Sequence, residues 1–163
     1  MKKLLVIIML FISLPVYQLF GQTEKEILML EQYYSEMLEY QFYFLKRATE
    51  ATNKSMWHEA SSMATFDSFC SHYAHSCEII STLGRIKLYS SEAHIKEYCE
   101  VKISWYLKFT FYDKHYEAVQ ANIDAYLTAA ESKSPSIDNE ILEKIKDFQD
   151  EVKSLKMLFH LIK

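Results

Sequence analysis

Residues 90–131 read SSEAHIKEYCEVKISWYLKFTFYDKHYEAVQANIDAYLTAAE and contain neither Gly nor Pro. Apolar residues recur in this stretch at alternating steps of four and three, which places one residue per turn on a single helix face. The stripe consists of Trp105, Phe109, Tyr112, Tyr116, Val119, Ile123, Tyr126 and Ala130. The spacing predicts one amphipathic helix over 91–131, about 60 Å long at 1.5 Å per residue, against which the other helices pack.

Three other segments have the same spacing, and we predict helices over 23–52, 55–83 and 135–162. Thr23 followed by Glu26 is a capping-box pattern, and Gly84 occupies the position at which glycine commonly ends a helix. Pro135 suits the first residue of the last helix. Asn53 and Ser55 are weak turn signals, so the first two helices could also be one continuous helix.

The scarcity of turn residues decides the fold class. The whole chain has two Gly and two Pro, whereas a β-sheet protein of this length needs many turn positions that Gly fills. We therefore predict an all-α protein, an antiparallel up-down four-helix bundle joined by short loops. The predicted helix 91–131 is longer than its partners, so we expect it to overshoot, to kink or to be paired along its length.

The first 21 residues have the layout of a signal peptide. Lys2 and Lys3 precede an apolar run over 4–14, and Gly21-Gln22 offers a cleavage point. The run holds about eleven residues before Pro15, against about 20 for a spanning helix. We predict a secreted or periplasmic protein with one mature domain over 22–163. An association with the membrane is expected only if the signal peptide is retained.

The charge of the chain bears on the class of partner. The formal net charge is −4, and loss of Lys2 and Lys3 with the signal peptide makes it −6. Nucleic-acid binding requires basic patches that release counterions from phosphates, so the net charge argues against a nucleic-acid partner.

Three cysteines in an exported protein raise the question of disulfides. Cys77 near the end of the second helix and Cys99 near the start of the third match in height across an antiparallel hairpin. We predict a Cys77–Cys99 bridge, with Cys70 left over. The alternative is three buried thiols that act as small hydrophobic residues.

A weak metal signal lies on the second and third helices. His72, His75 and Glu78 follow one another at steps of three, and His94 and Glu97 on the next helix could join them. Such a set could bind a divalent metal weakly, although a solvated polar face is the simpler explanation. No other cofactor is predicted.

Signatures of bundle enzymes are missing from the sequence: it has no Glu-x-x-His pair, no His-Glu-x-x-His and no haem motif. We predict no catalytic activity. Aromatic residues make up 15% of the chain, more than one stripe per helix can bury. The surplus is either a wide core or an interaction surface, and the candidates for such a surface are Tyr40, Phe42, Tyr43, Tyr106 and Tyr126.

The sequence thus predicts an exported, non-catalytic helical bundle that binds another protein or a second copy of itself, in an inhibitor-type or immunity-type role. The alternative is a bundle of the periplasm that binds a metal or a small ligand.

Overall fold

The computed structural model describes the backbone of residues 2–110, 113–132 and 138–162, and the side chains of 24–108, 114–130 and 138–162. These residues form five helices and no strand: α1 (Lys2–Asn53), α2 (Trp57–Tyr89), α3 (Ala93–Thr110), α4 (Asp113–Ser132) and α5 (Asn139–Leu161). The all-α class is confirmed. The predicted signal peptide and the capping side chain of Thr23 lie outside the described side chains. In the described part of the chain, no helix is long and apolar enough to cross a membrane.

A tight turn separates α1 from α2, as the turn signals predicted. Ser55 has a φ of 58°, in the left-handed region. The N–H of Met56 donates to the carbonyl of Ala51 at 2.8 Å, and that of Ser55 donates to Thr52 at 3.0 Å. These two bonds form the Schellman ending of a helix. The chain therefore reverses here, and one continuous helix is excluded.

Gly84 does not end α2, contrary to the prediction. The helix continues to Tyr89, and Ser90 follows with an extended backbone. Gly84 is buried against α1, where an added Cβ would lie 2.9 Å from Cγ1 and 3.1 Å from Cδ1 of Ile27. The glycine is therefore a close-packing position that lets α1 approach α2.

The predicted helix 91–131 is present as α3 and α4, and Phe111 and Tyr112 between them lie outside the described residues. The predicted stripe faces inward in α4, where Val119 and Ile123 are fully buried. In α3 the neighbouring flank is buried instead, through Cys99 and Leu107, and Trp105 is exposed. Leu107 and Val119 would be about 120° apart on an ideal helix, so one straight helix could not bury both in the same core.

An aromatic cluster joins four of the helices. The ring of Phe44 in α1 lies 5.4 Å from Phe66 in α2 and 5.6 Å from Phe148 in α5, measured between ring centres. Tyr40 packs on Phe148 at 5.5 Å, and Tyr126 of α4 packs edge-on against Phe66 at 5.8 Å. The core therefore lies where α1, α2, α4 and α5 meet.

Polar contacts align the helices at their ends. The guanidinium of Arg85, near the end of α2, forms a two-pronged ion pair with Glu31 of α1, which lowers the pKa of that carboxyl. Arg47, near the end of α1, pairs at 2.9 Å with Asp138, the residue that caps the start of α5. Residues 133–137, where the last helix was predicted to begin, lie outside the described part.

Candidate functional site

The predicted Cys77–Cys99 disulfide is not formed. All three cysteines are free and buried, which is the alternative that the sequence left open. Because α2 ends at Tyr89 and not at residue 83, Cys77 lies twelve residues before its end, whereas Cys99 lies six residues after the start of α3. Cys77 and Cys99 are thus offset along the helix axes by six residues, which is about 9 Å at 1.5 Å per residue. Burial in the core raises the pKa of the Cys77 thiol to about 12.

The five residues of the predicted metal site do not come together. His75 lies on the solvent face of α2 beside Glu78, with 3.8 Å between its Nδ1 and the Oε2 of Glu78. The Nε2 atom of His94 lies 3.2 Å from Oε2 of Glu92. Glu97 is exposed on α3. Among the described side chains, no group of three or more His, Cys, Asp and Glu residues is arranged to hold a metal ion.

His72 has a different neighbour from those expected. Its ring centre lies 4.6 Å from that of His115 in α4, with the two planes at 58°. The His115 ring also touches the edges of Phe69 and Tyr73, each at 5.9 Å. We call the two imidazoles the His72–His115 pair. Sequence reasoning missed His115 because no local spacing connects it with His72.

The His115 side chain is half-buried, and its environment is apolar. Its Nε2 atom is buried and has no hydrogen-bond partner among the described residues. Burial in this position disfavours the charged imidazolium and lowers the pKa of His115. Burial therefore favours the neutral imidazole at His115, while His72 is exposed to solvent.

Four of the five aromatic residues proposed as an interaction surface belong to the core or its edge. Tyr40 is buried, and burial raises its pKa. Tyr43 and Tyr106 are half-buried, and burial raises the pKa of the half-buried Tyr126 to about 12. Phe42 alone is well exposed, at 72% of its surface.

Two rows of apolar side chains nevertheless remain on the outside. The α1 row consists of Leu38, Phe42 and Leu45, at positions i, i+4 and i+7. The α3 row consists of Tyr98, Val101 and Trp105, at positions i, i+3 and i+7, and these are 58%, 63% and 49% exposed. Each row runs along one helix face. Most of the α3 row could have been found only by knowing which flank of the helix is buried.

A groove of about 620 Å³ runs between the start of α2 and the end of α4. Phe66 and Tyr126 line it together with the exposed Trp57 and Met56, and Ser62, Thr65 and Asn122 supply hydroxyl and amide groups. Its volume falls within the range of about 300–1,000 Å³ typical of small-ligand pockets. The groove is a candidate binding site that the sequence did not indicate.

Comparison of the chain with protein-family models, with curated proteins and with solved structures finds no match.

Proposed function

We propose that the mature chain is an exported, non-catalytic bundle that acts by binding another protein, or a second copy of itself, through the α1 row and the α3 row. In this proposal α3 and α4 together take the place of the third helix in an up-down four-helix bundle. The observation that carries the proposal is the presence of two ordered apolar rows outside a core that is already complete.

The rows are not needed to fill the core. Phe44 and Phe148 are fully buried, whereas Phe42 is 72% exposed and Trp105 is 49% exposed. The aromatic cluster joins four helices without either of them. Large apolar side chains scattered singly over a surface are ordinary, but apolar patches that are continuous mark interaction sites. Three such residues in register on one helix face form a continuous patch.

The spacing of the rows suggests the shape of the partner. Anchors at i, i+3 or i+4, and i+7 are the pattern by which one helix packs along another. Burial of a Phe or a comparable side chain contributes about 1.5–3 kcal/mol. Trp and Tyr are also the residues most often found at the energetic centre of an interface. We therefore expect a helical partner that covers Phe42 or Trp105.

Export is consistent with the state of the thiols. The predicted signal peptide would send the chain to an oxidising compartment, where exposed cysteines form disulfides. Burial of all three cysteines protects them from oxidation in that compartment.

The experiment measures self-association and capture with row variants. Sedimentation of the mature protein over a range of concentrations reports dimer formation, and cross-linking in cells that produce it reports a different partner. We expect Phe42→Asp or Trp105→Asp to abolish the association, whereas Ser68→Asp on an exposed position of α2 leaves it unchanged. A wild-type protein that stays monomeric and cross-links to nothing would overturn the proposal, as would association that survives both row variants.

A second candidate function, the binding of a small ligand, is favoured by the groove between α2 and α4. Trp57 at its mouth is a built-in fluorescent probe, because it is exposed in the free protein. A small ligand from the native compartment that shifts Trp57 emission in a Trp105→Phe background, and fails to do so after Asn122→Leu, would support this function over protein binding.

A further inference from the structure

We propose that His72 of α2 and His115 of α4 bind one divalent transition-metal ion of the Zn²⁺ class between them, with water molecules completing its coordination. The site shares only His72 with the set predicted from the sequence, and its second ligand is His115 of α4. It does not depend on the interaction rows.

The geometry of the pair fits two imidazoles on one ion. Zinc–nitrogen bonds of about 2.0–2.1 Å in a tetrahedral arrangement place the centres of two ligating rings about 5 Å apart. The observed separation of the ring centres is 4.6 Å. The ring planes are tilted by 58°, so the imidazoles are not stacked face to face and their nitrogen atoms can converge. The separation of the two rings is therefore close to the one that a shared ion requires.

The chemistry of His115 also points to a ligand. Its Nε2 is buried and lacks a hydrogen-bond partner within the described residues, and an unsatisfied buried polar atom is costly. Coordination of a metal would satisfy that nitrogen.

The surroundings restrict the His115 side chain and leave the His72 side chain accessible to solvent. Phe69 and Tyr73 pack against the His115 ring in T-shaped arrangements, which restricts its rotation. His72 is exposed, so solvent reaches the pair from the α2 side. The pair therefore combines a restricted His115 side chain with an accessible His72 side chain.

Two protein ligands make a weaker site than the four of a structural zinc centre. Imidazole ligands suit Zn²⁺, Cu²⁺ and Ni²⁺, and the general order of affinity puts Cu²⁺ first. Because the ion would bridge two helices, its binding would stabilise the folded state and not the unfolded chain. That linkage separates a bridging ion from one bound loosely at a single histidine.

The test uses ZnCl₂ alone, added to the full-length protein purified without a histidine tag. Calorimetry should give one bound ion per chain, and zinc should raise the midpoint of urea unfolding. We expect His72→Ala and His115→Ala each to weaken binding at least about tenfold and to abolish the zinc-dependent stabilisation. The matched control is His75→Ala, one turn further along α2 on its solvent face, which should bind zinc as the wild type does.

His72→Ala keeps the proposal open to refutation even if His115→Ala fails to fold, because the His72 side chain is exposed. The proposal is overturned if zinc does not bind, if His72→Ala binds as tightly as the wild type, or if His75→Ala loses as much affinity. It is equally overturned if zinc binds without raising the unfolding midpoint, because the ion would then not bridge α2 and α4.

Discussion

Replacement of Gly84 by Ala tests the close approach of α1 and α2. A Cβ at this position would lie 2.9 Å from Cγ1 of Ile27, closer than real Cβ contacts allow. The nearer atom belongs to the branched part of the side chain, whose torsion is stiff in a helix, so Ile27 cannot move aside freely. Overpacking of this kind costs about 1–3 kcal/mol. Ala in place of a mid-helix Gly gains about 1 kcal/mol of helix propensity.

We therefore expect Gly84→Ala to lower the free energy of unfolding by about 0–2 kcal/mol, in spite of the better helix former. Ile27→Ala alone should cost about 2–5 kcal/mol, because Ile27 is buried. In the Ile27→Ala background both crowding atoms are gone, so Gly84→Ala should now stabilise the protein by about 1 kcal/mol. The coupling between the two positions would be about 1–3 kcal/mol.

Urea unfolding followed by far-ultraviolet circular dichroism measures all four proteins of this cycle. Thr82→Ala is the matched control, because Thr82 lies exposed on the same part of α2 and its effect should be equal in both backgrounds. If Gly84→Ala has the same effect with and without the Ile27 side chain, Gly84 is not a packing position and the reasoning fails.

Three further predictions follow from the described contacts. Phe44→Ala should lower the free energy of unfolding by about 3–5 kcal/mol because its ring is fully buried, whereas Phe42→Ala should change it by less than about 0.5 kcal/mol; similar urea midpoints for the two would contradict the assigned core. Ser55→Gly should stabilise the protein by about 1 kcal/mol, since Gly adopts the left-handed conformation without the cost of a Cβ; an unchanged or lower midpoint would argue against this turn. The three buried thiols should react with a thiol reagent at pH 8 only after unfolding, and a reductant should leave the unfolding midpoint unchanged. A lower midpoint in the presence of reductant would be evidence for a Cys77–Cys99 disulfide.

The helical class could be predicted because the information is local. Few Gly and Pro residues, together with the four-three spacing of apolar residues, act within single helices and require no knowledge of neighbours. The turn at Ser55 is local in the same sense, although its signal was weak. The inward-facing residues of α4, Val119 and Ile123, were likewise read correctly from the stripe.

The errors concern features that depend on a second helix. Gly84 looks like a helix end when only its own segment is considered, and only the presence of Ile27 makes it a packing position. The stripe over 91–131 predicts a buried Trp105, but α3 buries the neighbouring flank with Cys99 and Leu107 instead. Which flank is covered depends on the helices packed against α3, and the segment alone does not show it. The height of Cys77 relative to Cys99 depended on where α2 ends.

The candidate sites show the same division. The spacing of His72 and His75 suggested a shared face, but the structure brings His72 to His115, which the chain supplies from α4. Of the aromatic candidates, Phe42 alone kept the exposure that an interaction surface needs.

The amino-acid sequence by itself determined that the described chain is helical and which residues could form apolar stripes, since propensity and periodicity operate over a few residues. The tertiary structure alone decided which apolar stripe is buried, that Gly84 packs against Ile27, and that His72 lies beside His115. Those outcomes depend on contacts between helices that are distant in sequence, where each exposed or buried face is set by the shape of its neighbour.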